Sequence, residues 1–163
     1  MTVIDSRYRE IVSRGVVAAA GIAIPGIFVP TLDLAGVGTI WTTMIVAIAN
    51  KSGHEFNGTT VAKLVTSAVS AVSAYVIGSK ILTWAATPLI LAFPIAGVPA
   101  VTALNAALNG LFTLRLGMVC SRHFSRSEFT DQDTLLLAAK IGTHLLGWPT
   151  HEEIQTVKEF LSN

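Results

Sequence analysis

The chain has 163 residues, of which 52% are hydrophobic and 13% are charged, whereas an ordinary soluble domain has about 25% charged residues. Eleven basic and ten acidic residues leave a formal net charge of +1, which argues against a nucleic-acid binder. Cys120 is the single cysteine, so no disulfide can form within the chain. The composition also excludes a disordered, collagenous or disulfide-stapled chain and indicates one apolar domain.

The N-terminal segment predicts a retained amphipathic helix rather than a cleaved signal peptide. Acidic residues are interspersed with its arginines, and no short apolar block ends in a cleavage site. Its apolar residues recur at helical spacing and form one face: Ile4, Tyr8, Ile11 and Val12.

Two long stretches that contain prolines are almost free of charge. Residues 15–50 carry one charge, Asp33, and the 34 residues 81–114 carry none. Either stretch exceeds the roughly 18 apolar residues that indicate a membrane helix. Because proline interrupts a helix, each stretch predicts a helical hairpin rather than one straight rod. The prolines of the two turns are Pro25, Pro30, Pro94 and Pro99.

The two proline turns resemble each other in sequence. Residues 23–30 read AIPGIFVP and residues 92–99 read AFPIAGVP, with both prolines in register. We interpret them as an internal repeat whose unit is helix, turn and helix. Each arm of about 16–18 residues would span about 25 Å, which is marginal for a hydrocarbon core of about 30 Å. Hairpins that dip into the bilayer, or barely cross it, fit this length.

The distribution of charge predicts the topology in the membrane. Basic residues lie at the N-terminus, between the hairpins and after the second hairpin, and the proline turns carry none. The positive-inside tendency then places both termini in the cytoplasm, and we expect a bacterial inner membrane. Asp33, near the first turn, is either a helix cap or an intramembrane acid on a polar path. Arg115 interrupts an apolar run, so it either snorkels to the head groups or pairs with Asp33 or a partner's carboxylate.

Residues 64–79 form a third uncharged run, in which small residues recur on one helical face. Such a face lets helices approach closely, either within one chain or between copies of it. The residues of this predicted packing or oligomer face are Ser67, Ala71, Ala74 and Gly78.

The C-terminal tail is more polar and predicts two short amphipathic helices on the cytoplasmic side. Thr130 or Asp131 is suited to cap the first, which should end near Leu146 before Gly147 and Pro149. A capping box opens the second, with Thr150 at the cap and Glu153 three residues later.

The predicted fold is therefore an all-α membrane protein. Residues 1–128 would form a hydrophobic helical membrane domain, with proline-broken hairpins around 15–50 and 81–114. Residues 129–163 would form the amphipathic helical tail. No alternation of strand period persists along the chain.

Motifs for catalysis or cofactor binding are missing from the sequence. There is no phosphate-binding loop, dinucleotide fingerprint, serine-nucleophile elbow or zinc-protease motif. Cys120 and His123 form a single CxxH pair, and no second pair completes four zinc ligands. We therefore expect no metal, no cofactor and no enzymatic activity.

The segment LNGLFTLRLGMVCSRHF resembles the C-terminal signature of the YcjF-type, GTPase-associated membrane domain family. The matching positions are Thr113, Arg115, Gly117, Cys120 and Arg122. The family often continues with Arg-Pro-(Leu/Ile)-Pro, where this chain has an Arg-His-Phe-Ser sequence. The resemblance implies a membrane protein of unsettled molecular role, often encoded with or joined to a GTP-binding protein.

The first functional hypothesis is a non-enzymatic protein embedded in the lipid bilayer, which self-associates as a homo-oligomer to scaffold or shape the membrane. A second hypothesis, from the resemblance, is an accessory or anchoring subunit for a GTP-binding protein. A channel or carrier is the third, because transporters also use proline-broken helices near the middle of the bilayer.

Overall fold

The computed structural model describes residues 4–22, 30–55, 57–78, 100–125, 130–145 and 147–162. The elements within these ranges are all α-helices and no strand occurs among them, which confirms the all-α class. In chain order they are α1 (Ser6–Gly21), α2 (Pro30–Lys51), α3 (Gly58–Gly78), α4 (Ala100–Phe124), α5 (Asp131–Leu145) and α6 (His151–Ser162).

Helix α4 is the central helix of the bundle. Residues 107–118 are buried on every side, since α1, α2, α5 and α6 all pack around this helix. An all-round apolar sequence suits a helix enclosed by protein as well as one enclosed by lipid. Over residues 107–114, the charge-free run predicted as a membrane hairpin is therefore covered by the chain's own helices.

The arms of the first predicted hairpin correspond to α1 and α2, which pack antiparallel. Gly15 faces Met44 in the middle of the pair, and Gly36 faces Ile22 near the proline turn. A Cβ added at Gly15 would lie 2.9 Å from the Met44 sulfur, so glycine permits this close packing. Within the described ranges, no helix combines the length and the apolar character that crossing a membrane requires.

The predicted internal repeat is only partly described. Pro25, Pro94 and Pro99 lie outside the described residues, whereas Pro30 is the first residue of α2. Helix α4 begins at Ala100, directly after the segment predicted as the second proline turn. A long helix thus follows each copy of the predicted repeat, at positions that correspond to within one residue. Proline is favoured at the first helical position because its missing N–H would have no partner there.

Helices α1 and α4 are also antiparallel, which brings several chain ends together. Gly117 lies against Val12, and the Asn109 side-chain amide donates to the carbonyl of Ala19 at 3.2 Å. The end of α1, the start of α2 and the start of α4 therefore share one end of the bundle. We call this the apolar end, because the apolar segments 23–29 and 79–99 attach to it.

Hydrogen bonds between polar side chains mark the opposite end of the bundle, which we call the polar end. The Tyr8 hydroxyl lies 2.7 Å from the Ser52 hydroxyl and 3.3 Å from that of Ser125. A ring nitrogen of His54 lies 2.9 Å from the carbonyl oxygen of Phe124. These contacts join the start of α1 to the turn after α2 and to the end of α4.

The amphipathic face predicted for the first part of the chain is largely confirmed. Ile4, Tyr8 and Val12 are buried, and Ile11 packs against the core from a partly exposed position. Asp5 caps α1 by accepting from the Arg7 amide at 2.8 Å.

Helix α5 packs mainly against α3 and begins and ends close to the predicted positions. The Thr130 amide donates to the Asp133 carboxylate at 2.9 Å, and the Asp133 amide donates back to the Thr130 hydroxyl at 3.3 Å. Thr130 is therefore the cap, and the helix ends at Leu145 before Gly147.

The buried face of α3 differs in part from the predicted small-residue face. The residues that it places in the core are Val61, Leu64, Ala68 and Val72. Ser67 and Ala71 lie beside this face and are partly buried, and Ala71 packs against the core. The burial of Ala74 and Gly78 is not among the described features of α3.

Candidate functional site

The guanidinium of Arg115, on the central helix, is buried and fully hydrogen-bonded. Arg115 is 2% exposed. Its Nε donates to one carboxylate oxygen of Glu153 at 3.1 Å, and its Nη2 donates to the other at 2.9 Å. The remaining donors go to the carbonyls of Leu145 (2.9 Å), Gly147 (2.6 Å) and Trp148 (2.8 Å). Because a guanidinium has five N–H groups, every donor has a partner.

The groups that bind Arg115 belong to the end of α5, the start of α6 and the turn between them. The last carbonyl groups of a helix have no N–H partner within it, and a positive charge beside them is favourable. Glu153 belongs to the predicted capping box, which is confirmed. The Thr150 amide donates to Glu153 at 2.8 Å, and the Glu153 amide donates to the Thr150 hydroxyl at 3.2 Å. One arginine thus fixes the end of one helix and the start of the next.

The predicted environment of Arg115 is corrected by these bonds. Its partner is Glu153 of the same chain, 38 residues away, and neither Asp33 nor a carboxylate of another chain. The guanidinium does not reach for head groups, because it is enclosed by the turn between α5 and α6. A saturated, buried ion pair holds helices together and presents no free group to a substrate.

Asp33 lies in the first turn of α2 rather than at a cap position, since that helix begins at Pro30. An acidic residue in the first turn is favourable because the helix dipole is positive at that end. The side chain of Asp33 lies outside the described residues, so its predicted role on a polar path stays a prediction.

The other residues of the signature segment serve packing between α4 and its neighbours. The Thr113 hydroxyl accepts a hydrogen bond from the Trp41 indole at 2.8 Å and donates to the Asn109 carbonyl at 2.7 Å. A Cβ added at Gly117 would lie 2.7 Å from a methyl group of Val12, so glycine is needed for the approach of α1. Both residues face α1 and α2, whereas Arg115 faces α5 and α6.

Cys120 and Arg122 complete the segment and have opposite exposures. Cys120 is fully buried, and burial raises the pKa of its thiol, which disfavours the reactive thiolate. Arg122 is exposed. Among the residues that the structure describes, no three His, Cys, Asp or Glu side chains are grouped so that they could hold a metal ion.

Comparison with known proteins adds no relative. No protein-family model, no curated protein and no solved structure matches the chain. The resemblance to the YcjF-type family therefore stays a prediction from the five signature residues, four of which the structure places inside the bundle.

The two titratable groups near the α5–α6 turn have shifted pKa values. Burial opposes ionisation of Glu153, but hydrogen bonds from Arg115 and the Thr150 amide outweigh it and lower the pKa of Glu153. Burial, together with the charges of Arg115 and Arg122, lowers the pKa of His144, and the charge of Glu153 offsets this only in part. Both shifts favour the form that prevails at neutral pH.

We expect acidification to destabilise the protein in two steps. In the unfolded chain His144 takes up a proton near its ordinary pKa of about 6.5, whereas in the folded protein it does so only at a lower pH. As the pH falls between these two values, the unfolded chain binds more protons than the folded protein, so the free energy of unfolding decreases. Below the ordinary pKa of a glutamate, protonation of Glu153 removes the stability that its ionised carboxylate contributes by pairing with Arg115. Thermal unfolding from pH 7 to pH 5 should show a decline that His144→Gln reduces. The exposed His151→Gln is the control, and an equal effect of both variants would contradict this assignment.

Proposed function

We propose that the protein is a non-enzymatic membrane protein, which inserts the apolar end of its bundle into a lipid bilayer and self-associates there to scaffold or shape the membrane. The observation that carries this proposal is the convergence of chain ends. Segments 23–29 and 79–99 attach to the same end of the bundle, as the contacts of Ile22 with Gly36 and of Ala19 with Asn109 require. Between them these segments contain one charge, Lys80.

The charges near the polar end support the same orientation. Arg7 and Lys51 adjoin the residues that mark this end, and Arg122 lies less than one turn from Phe124. An ion pair at 2.5 Å joins Arg9 near the start of the chain to Glu159 near its end. Both ends of the described chain are therefore near the polar end, which the positive-inside tendency assigns to the cytoplasm of a bacterial inner-membrane protein.

The exposed surface of α2 supports self-association. Its exposed residues from Gly36 to Ala49 are all uncharged: Thr39, Thr42, Thr43 and Val46. Two of them, Thr39 and Thr43, line a mainly apolar groove of about 360 Å³ between α1 and α2, to which Ile40, Met44 and, from α1, Arg14 also contribute. An uncharged helix face with hydroxyl groups suits close contact with another helix in or near lipid.

The other two hypotheses have less support. A channel would use intramembrane charge, and the guanidinium of Arg115 is already saturated by Glu153 and backbone carbonyls. A GTP-binding partner is the stronger alternative, and it would meet Arg122 as the exposed residue of the signature segment. Recovery of a GTPase with the protein from native membranes would favour this alternative.

Liposome flotation tests insertion through the apolar end. We expect the wild-type protein to float with liposomes and Leu91→Lys, in segment 79–99, to lower its partition roughly hundredfold, because lysine is costly inside a bilayer. Leu136→Lys is the matched control, since Leu136 is 52% exposed on α5, and it should float like the wild type. Flotation of Leu91→Lys at the wild-type level, or a wild type that does not float, would refute the proposal.

The mass of the protein in mild detergent, measured by light scattering and corrected for bound detergent, tests self-association. We expect a discrete assembly of several subunits. A monomer would overturn the scaffold hypothesis and favour an accessory subunit of a GTP-binding protein.

A further inference from the structure

A cleft of about 380 Å³ opens between α4 and α5, apart from the buried ion pair. It combines side chains from the last turns of α4 with side chains from the second half of α5. Its lining residues are Val119, Arg122, His123, Lys140, Thr143 and His144. None of these lining residues is acidic, whereas two of them, Arg122 and Lys140, carry a permanent positive charge.

The two permanent cations of this cleft lie on different helices and are exposed to solvent. Arg122 belongs to α4 and Lys140 to α5. The ion pairs found in the described part of the chain involve neither of them. The nearby carboxylate of Glu153 is paired with Arg115 and not with either cation of the cleft.

His144 supplies a second, independent observation. Its Nε2 atom is buried and has no hydrogen-bond partner within the described residues. A buried polar atom without a partner is costly, and an acceptor in the cleft would remove that cost. In the tautomer with the proton on Nε2, the imidazole donates to an anion without needing a positive charge of its own.

We propose that this cleft binds an oxyanion of the phosphate class. The guanidinium of Arg122 and the ammonium of Lys140 provide the charge, and the imidazole of His144 provides a directed hydrogen bond. Arginine and lysine from facing helices can contact different oxygens of one phosphate, which gives more affinity than either cation alone. The volume of the cleft also accommodates a substituent on the phosphate, so a phosphate monoester fits as well as the free ion.

The position of the cleft favours a soluble oxyanion over a lipid head group. Arg122 lies 22 residues beyond Ala100, or about 33 Å along α4 from the apolar end. The head-group layer of a bilayer is only about 5–8 Å thick on each side. If the apolar end is the membrane end, the cleft faces the aqueous phase well beyond the head groups.

Titration with inorganic phosphate, monitored by the NMR resonances of the His144 ring at low ionic strength and pH 7, tests the proposal. We expect saturable shifts, and at least tenfold weaker binding in Arg122→Gln and in Lys140→Gln. Lys63→Gln is the matched control, because it removes one exposed positive charge from α3, outside the cleft. Unshifted His144 resonances, or equal weakening by Lys63→Gln, would overturn the site.

Vesicles distinguish the two sources of phosphate. Phosphatidylcholine vesicles containing phosphatidic acid should recruit the wild type and Lys140→Gln to the same extent, since we assign the cleft to a soluble oxyanion. Recruitment that depends on Lys140 would overturn that assignment and identify the lipid head group as the ligand. The thermal stability of each variant should match that of the wild type without phosphate, because the substituted side chains are exposed.

Discussion

Replacement of Arg115 by methionine is expected to lower the free energy of unfolding by about 3–5 kcal/mol. Methionine fills a similar volume but leaves the carboxylate of Glu153 buried without its cation. It also removes the donors from the carbonyl of Leu145, at the end of α5, and from that of Gly147, in the turn that follows. Urea unfolding in mild detergent, followed by circular dichroism, measures this loss.

A matched variant and a double substitution distinguish the loss of the buried ion pair from the effect of replacing any arginine. Arg14→Met breaks the pair with Glu10, whose side chains are 80% and 70% exposed, and should cost less than about 1 kcal/mol. Adding Glu153→Met to Arg115→Met should recover part of the stability, because no unpaired charge then remains in the interior. A loss for Arg115→Met as small as that for Arg14→Met would contradict the role of the buried pair.

Replacement of Trp41 by alanine is expected to cost about 3–5 kcal/mol of unfolding free energy. Trp41 is 1% exposed and lies among the core residues of α2. Its indole N–H also donates to Thr113 on the central helix, so the substitution opens a cavity and breaks a hydrogen-bonded link between α2 and α4. The same urea unfolding experiment measures the effect.

Trp148 is the control for this substitution because it is the same residue type at a surface position. Its side chain is largely exposed, at 65% for the residue, and the hydrogen bond from Arg115 goes to its backbone carbonyl. Trp148→Ala should therefore change the unfolding free energy by no more than about 0.5 kcal/mol. Equal losses for the two variants would mean that Trp41 does not pack in the core as described.

Local signals in the sequence predicted the first helix and the caps of α5 and α6, but not the start of α2. The face of Ile4, Tyr8 and Val12 follows from a spacing of four residues, and the box formed by Thr150 and Glu153 from a spacing of three. These patterns are short because a helix brings residues three and four apart onto one face. They carry the information needed to find the helices, but not the information needed to arrange them.

The pairing of Arg115 with Glu153 could not be predicted in this way. Arg115 was recognisable as the exception in an apolar run, and Glu153 as a capping residue, but 38 residues separate them. Which helix ends meet depends on packing across the whole bundle. The cleft at Arg122 and Lys140 was missed for the same reason, because its walls belong to two different helices.

The charge-free run at residues 81–114 shows why apolar composition alone is ambiguous. Its part from 107 to 114 is enclosed by α1, α2, α5 and α6, where the absence of charge reflects a protein interior. Lipid and a protein core select the same side chains. The apolar composition supports insertion into a bilayer only for segments 23–29 and 79–99, which attach to the apolar end.

Quenching of tryptophan fluorescence by brominated lipid tests the insertion of the apolar end most directly. The three tryptophans lie in the core (Trp41), in segment 79–99 (Trp84) and in the turn between α5 and α6 (Trp148). With Trp41→Phe in both cases, variants that retain either Trp84 or Trp148 are compared in liposomes. We predict strong quenching of Trp84 and none of Trp148. Equal quenching of the two, or an unquenched Trp84, would contradict insertion through that end.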